Sequence, residues 1–296
     1  MSCFLQAQMA GHSQFATLMF CLAAFVGLSQ AQLQLGFYAK SCPKSEKIIQ
    51  DYVNEHIPNA PSLAATLIRM HFHDCFVRGC DGSVLLNSSS NQAEKDAPPN
   101  LTVRGFDFID RLKTLLEAEC PGVVSCADII ALAARDSIVK TGGPFWKVPT
   151  GRRDGVISRL AEANNSIPPP FGNFTTLQTL FANQGLDLKD LVLLSGKLKK
   201  CTNPNDTTTI VEMDPGSRNT FDLSYYTLVL KRRGLFESDS ALLTNSFTKS
   251  LITQLLQGSL QNFYTEFALS MEKMGRINVK TGSQGEIRKQ CAVVNS

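Results

Sequence analysis

Apolar residues recur at spacings of three and four along almost the whole chain, and that pattern restricts the fold to packed α-helices. Residues 45–57 set Ile48, Ile49, Tyr52, Val53 and Ile57 on one stripe. A second helix is expected to open at Ser62, just behind Pro61, with Leu63, Leu67 and Met70 in register. Residues 106–119 repeat Phe106, Ile109, Leu112 and Leu116. Ser125-Cys126-Ala127-Asp128 reads as a capping box opening an apolar helix to about Val139. Further amphipathic runs span 187–194, 221–231 and 262–274. Alternating strand patterns are scarce, and loops rich in Pro, Asn and Ser are expected at 87–100, 164–173 and 202–219. The expected class is mainly α.

At 296 residues the chain has room for one large domain or two modest ones. Apolar residues make up 43% and charged residues 19%, which excludes a disordered chain or a coiled coil. A net charge of +3, evenly spread, does not suit a protein that grips nucleic acid through phosphate contacts. The long uncharged stretch is N-terminal, and its apolar heart at 15–28 is shorter than the roughly 20 residues that span a bilayer. No membrane role is expected. The stretch reads instead as a secretory signal ending at Ser29-Gln30-Ala31, so residues 1–31 are expected to leave and 32–296 to form the mature domain. Before Phe15 only His12 is basic, so the usual positive leader is weak; the alternative is an apolar first helix.

Cysteine usage points to export. Of nine Cys, Cys3 and Cys21 would go with the signal, leaving Cys42, Cys75, Cys80, Cys120, Cys126, Cys201 and Cys291. An oxidising compartment would pair them, and an odd number leaves one alone. Asn-x-Ser/Thr triplets at Asn87, Asn100, Asn164, Asn173 and Asn205 fit a secreted glycoprotein, with some of the five bare.

The chemistry concentrates between Arg69 and Ser83. Arg69 and His73 are four residues apart, so on a helix they share a face and can point into one cavity. A neutral imidazole takes and returns a proton, while a guanidinium steadies developing negative charge. That pair suits heterolysis of a small, weakly acidic substrate. His71 must then face elsewhere, as a packing or hydrogen-bonding residue; a His71-x-His73 metal pair would need a strand. Asp74, Asp81 and Ser83 offer side-chain oxygens, and Gly79 and Gly82 allow sharp turns with exposed carbonyls. Such all-oxygen ligation suits a hard cation such as Ca²⁺. A polar turn pinned by a Cys75–Cys80 disulfide, with no ion, is the competing reading.

The run Arg69-Met70-His71-Phe72-His73-Asp74-Cys75-Phe76-Val77-Arg78-Gly79-Cys80-Asp81-Gly82-Ser83 resembles the distal signature of the secreted plant (class III) haem peroxidases. The likeness extends from Phe37-Tyr38 and Cys42-Pro43 through Glu94-Lys95-Asp96-Ala97, Arg104-Gly105-Phe106, Val124–Asp128 and Gly151-Arg152-Arg153-Asp154 to Cys291–Ser296. It implies a haem-peroxidase-like helical fold, with distal and proximal halves around a haem pocket. It also implies oxidation of small phenolic donors by hydrogen peroxide, haem b and Ca²⁺ as cofactors, a monomer, and an extracellular or cell-wall location. By the same resemblance His73 is the acid–base residue, Arg69 supports the peroxide transition state, and Asn100 orients His73, so the Asn100 triplet is expected to be unglycosylated. Asp74, Asp81 and Ser83 with the carbonyls of Val77 and Gly79 match the first calcium site, with Glu94 joining through water. Pro168 in Ile167-Pro168-Pro169-Pro170-Phe171 matches the edge where donors dock. The family's disulfides carry over as Cys42–Cys120, Cys75–Cys80 and Cys126–Cys291.

One piece is absent. In the family the helix resembling Asp190–Gly196 runs on into a Gly-His-Thr motif whose His holds the iron. Here Gly196 is followed at once by Lys197-Leu198-Lys199-Lys200-Cys201. The four His stand at 12, 56, 71 and 73, with none beyond, so no haem axial His is found. An internal deletion between Gly196 and Cys201 is inferred, leaving Cys201 unpaired. The second calcium site is reduced to Asp214, Ser217, Thr220 and Asp222. No Asp or Glu lies between Ser240 and Thr265, where a carboxylate partner for the missing His is sought. Proximal His ligation is a main control on haem iron, so impaired turnover is expected. The rival is a non-catalytic, calcium-stabilised secreted variant, arising by splicing or from a faulty gene model. A chain that misfolds is the third possibility.

Overall fold

The computed structural model describes residues 33–195 and 220–296. The expected signal segment, the Gly196–Cys201 junction, the loop at 202–219, Asn205, Asp214 and Ser217 lie outside them.

Four helices build the first half: α1 (Ser45–His56), α2 (Ser62–Val77), α3 (Phe106–Glu119) and α4 (Cys126–Lys140). Pro61 stands immediately before α2, where its missing N–H costs nothing. α4 is buried along nearly its whole length and packs against α1, α2 and α3, so the other three surround it. The second half comprises α5 (Leu160–Ser166), α6 (Phe174–Asn183), α7 (Leu188–Leu194), α8 (Ser224–Leu230), α9 (Glu237–Ala241), α10 (Ser246–Gln257) and α11 (Leu260–Met274). α7 rests on α6, α10 and α11, while α5 leans back on α2. Extended pairing among the described residues is confined to isolated bridges, such as Arg153 with Lys280. The molecule is mainly α.

Several boundaries depart from the periodicity, each for a local reason. α8 begins at Ser224 rather than 221, because the Asp222 carboxylate accepts from the Ser224 N–H at 2.9 Å and from its hydroxyl. α11 starts two residues early, where the Ser259 hydroxyl accepts from the Asn262 N–H at 3.1 Å. The expected loop at 164–173 opens inside α5, and that at 87–100 holds 3₁₀ turns at Glu94–Asp96 and Pro98–Asn100. The capping box at Ser125 is only half made. Ser125 Oγ accepts from the Asp128 N–H at 3.1 Å, but the Asp128 carboxylate does not return to the Ser125 N–H. Instead it accepts from Tyr38 Oη and the Gly151 N–H, each at 2.7 Å, and from Arg152.

One apolar core runs through both halves. Arg152, 1% exposed, straps them by donating from Nη1 to Asp128 at 2.7 Å and from Nε to the Gly275 carbonyl at 3.1 Å. Asp154 accepts from the Cys126 and Ala127 N–H groups at 3.1 and 2.9 Å, placing a negative charge at the start of α4. Three disulfides join Cys42–Cys120, Cys75–Cys80 and Cys126–Cys291.

Candidate functional site

α2 carries Arg69 and His73 on one face, as i and i+4 side chains of a helix must be. Arg69 Nε donates to His73 Nε2 at 3.2 Å. Its other nitrogens are held by Thr102 Oγ1 at 2.9 Å and the Pro99 carbonyl at 2.7 Å. On the far side of the ring, His73 Nδ1 lies 2.5 Å from Asn100 Oδ1, and Asn100 Nδ2 donates to the Glu94 carbonyl at 2.7 Å. The partners fix the tautomer: a proton on Nδ1, directed at an oxygen, and a lone pair on Nε2. The 3₁₀ turn at Pro98–Asn100 presents both the Pro99 carbonyl and the Asn100 amide to α2.

Burial drives His73 down to about 3; the Arg69 charge adds to this, and the Asn100 bond opposes it. Burial likewise lowers Arg69 to about 10. The ring is therefore neutral at ordinary pH, with an acceptor nitrogen beside a cation. A small acid placed between them would meet a proton acceptor and a charge-stabilising donor. His71 faces elsewhere: its Nδ1 is 3.6 Å from Cys75 Sγ, and burial, with the Arg152 charge second, pushes it to about 3.

The loop after α2 turns on Gly79 and Gly82, whose φ angles of +93° and +68° favour residues without a Cβ. Asp74, Asp81, Ser83 and Glu94 are all fully buried. Asp74 accepts from the Gly82 N–H at 2.9 Å, Asp81 Oδ1 from the Ser83 N–H at 3.0 Å, and the Gly79 carbonyl from the Asp81 N–H at 2.7 Å. Ser83 Oγ and both Glu94 carboxylate oxygens have no hydrogen-bond partner, and Asp81 Oδ2 meets only the Lys280 ammonium, 2.7 Å away. Burial, reinforced by Asp81, raises Asp74 to about 8, and burial with Asp74 beside it holds Glu94 well above its usual range. Buried oxygens left without donors are what a hard cation satisfies, so the set fits Ca²⁺. Val77, the last residue of α2, stands at the loop's entrance. No group of three or more His, Cys, Asp or Glu positioned for a metal occurs among the described residues. The proposed set would rest on two aspartates, a hydroxyl and main-chain carbonyls, with Glu94 one step removed.

Pro168 is half-buried behind α5, next to Ile167, which packs against Ala97, Ala163 and Val77. Thr220 Oγ1 donates to Asp222 at 2.6 Å, and Asp222 caps α8. Asp239, which the periodicity does not single out, lies one residue before the acid-free run 240–265. It is 6% exposed on α9 and accepts from Tyr225 Oη at 2.6 Å and from the Leu235 and Phe236 N–H groups. Its position ahead of a Leu-rich run was the available signal. Two cavities of about 290 and 220 Å³ flank Phe145, away from Arg69 and His73.

The family model described as Peroxidase matches residues 49–198 and, in a second run, 197–258. Peroxidase 3 of Arabidopsis thaliana is 63% identical over 314 residues, covering 94% of this chain and 96% of the relative. Peroxidase 39 of the same plant is 61% identical over 313 residues, covering 93% and 96%. Peroxidase 1 of Oryza sativa subsp. japonica is 49% identical over 314 residues, covering 92% and 96%. Each alignment is longer than the 296-residue chain, so each contains positions at which this chain has no residue.

Proposed function

The chain belongs to the peroxidase family, and from that premise we propose that it keeps the peroxide-handling half of a secreted plant haem peroxidase while lacking the half that grips iron. The observation carrying this reading is the relay Asn100–His73–Arg69, with its lone pair on His73 Nε2 beside a guanidinium. His73 would take the proton of hydrogen peroxide at Nε2 and return it to the departing oxygen. Arg69 would steady the negative charge as the O–O bond breaks, and Asn100 would hold the tautomer. Haem b, were it held, would supply the redox chemistry that links hydrogen peroxide to one-electron oxidation of phenolic donors. Those donors would dock near Pro168.

The proximal side does not fit the group. No His follows His73. Support for an internal deletion comes from the two-part family match, which breaks at residues 197–198, and from relatives aligned over more positions than the chain possesses. Turnover is expected to be severely reduced. Purifying the chain with haem and measuring guaiacol oxidation tests this; ordinary peroxidase turnover would refute it.

A second reading is a non-catalytic, calcium-stabilised extracellular protein. The buried oxygens without donors at Ser83 and Glu94 favour it, because they serve stability with or without haem. A Soret band on the purified protein would exclude an apo-protein and with it this reading. The three disulfides support export to the cell wall or extracellular space. No helix among the described residues is long and apolar enough to cross a membrane.

A further inference from the structure

We propose that Lys280 is a resident competitor for the first calcium site: its ammonium neutralises Asp81 in the ion-free protein and is released when Ca²⁺ binds. The inference rests on the calcium reading above. Lys280 Nζ lies 2.7 Å from Asp81 Oδ2, a carboxylate oxygen that has no other partner. Asp81 is sequestered from solvent, whereas the Lys280 side chain is 27% exposed and so has a path outward.

The lysine arrives from a distant segment that is itself locked to the loop. The Lys280 carbonyl accepts from the Arg153 N–H at 2.8 Å, and the Ile277 carbonyl accepts from the Cys80 N–H at 3.0 Å. Gly79 approaches so closely that a Cβ there would fall 2.6 Å from the Asn278 carbonyl oxygen. The backbone on both sides is thus held, and the free variable is the side chain of Lys280. Neither of the other cations near the loop pairs directly with Asp81. Arg288 Nη2 donates to the Gly82 carbonyl at 2.5 Å with its Nε 3.9 Å from Asp154, and Arg78 is paired with Glu162 at 2.6 Å.

Calcium affinity follows the negative charge and rigidity of the ligand set. A lysine on one of two aspartates halves the site's formal carboxylate charge and repels an arriving divalent ion. Replacing it removes that competition, so the site should bind more tightly yet be less stable when empty. A buried Asp81 carboxylate would then face Asp74 and Glu94 without its one directly paired cation, leaving only the more distant charges of Arg78 and Arg288 to offset it.

The test is equilibrium calcium binding by the full chain, with melting in calcium and in chelator, for the wild type, Lys280→Gln and Lys280→Arg. Lys280→Gln should bind Ca²⁺ about tenfold more tightly, whereas Lys280→Arg should stay within about threefold of wild type because the charge is kept. In chelator Lys280→Gln should melt below wild type, with the gap closing or reversing in saturating calcium. Amine labelling of the unsubstituted protein supplies a readout that survives a variant that does not fold: Lys280 should label several-fold faster in calcium than in chelator. Equal affinity of Lys280→Gln and wild type, or equal labelling in both conditions, overturns the proposal while leaving the calcium site standing. No binding in either protein overturns both.

Discussion

Arg152 Nη1 donates to Asp128 Oδ1 across 2.7 Å with both side chains withdrawn from water. The pair unites two motifs 24 residues apart, one opening α4 and the other in the turn that follows it, and the same guanidinium reaches the Gly275 carbonyl beyond α11. A buried ion pair repays its desolvation only when the remaining donors and acceptors are met. Here they are, by Tyr38 Oη, the Gly151 N–H and the Pro149 carbonyl. The arrangement fixes the tail of α11 against the start of α4, behind the helix that carries Arg69 and His73.

Removing one partner strands the other. Arg152→Met is expected to destabilise the fold by about 3–5 kcal/mol, and Asp128→Asn combined with Arg152→Met by less than the sum of the single changes. Chemical denaturation of the two single variants and the double variant reads this directly. Additive losses would show that the two groups act independently.

His71 predicts a pH dependence. Its folded value, about 3, lies below the ordinary value of 6.5, so the unfolded chain binds the extra proton between those limits. The stability linked to the neutral ring is complete above about pH 6.5 and is lost progressively as pH falls toward 3. His71→Gln should flatten part of the decline of the urea midpoint between pH 7 and pH 4. Because the Arg152 charge is the second cause of the shift, Arg152→Met should also soften the slope. An unchanged profile in both variants would contradict the assignment.

The Arg69–His73 face was legible before any coordinates because an interval of four on a helix has one geometric outcome. The turn after α2 was legible because Gly79, Asp81, Gly82 and Ser83 crowd oxygens into a sharp bend. Periodicity does not report which distant segments meet. Asp128 reads as a local capping residue, yet Arg152 and Tyr38 claim its carboxylate. Lys280 reads as a surface charge, and only the fold carries it to Asp81. Asp239 sits on a five-residue helix too short to show a stripe, and its importance appears only when Tyr225 folds over it. α10 was missed although Asn245 caps it and Ile252 and Leu255 are buried three residues apart.

Asn100 links His73 to the turn that carries Glu94, accepting from His73 and donating to the Glu94 carbonyl. Asn100→Ala leaves the buried His73 Nδ1–H without a partner, at about 1–3 kcal/mol, while the Glu94 carbonyl keeps its bond from the Ala97 N–H at 3.0 Å. The variant should melt lower, and its His73 should lose the preference for a proton on Nδ1, visible in ring-nitrogen NMR shifts. At 1% exposure the native amide is out of reach of glycosylation, so the peptide containing Asn100 should carry no glycan by mass spectrometry.

Cys126–Cys291 closes the largest loop in the described chain, with a sequence separation of 165. It ties the start of α4 to the C-terminal tail, beside Asp154 and Arg288. Cross-linking so distant a pair removes much of the unfolded chain's freedom, and loss of a native disulfide in a secreted domain costs about 2–5 kcal/mol. Cys126→Ser with Cys291→Ser should therefore lower the denaturation midpoint more than cutting Cys75–Cys80, whose separation is only 5. The comparison belongs in chelator as well as calcium, because Cys80 adjoins Asp81 and its disulfide also shapes the loop. If the short loop proved the costlier loss in chelator too, chain entropy would not be the source of the stabilisation.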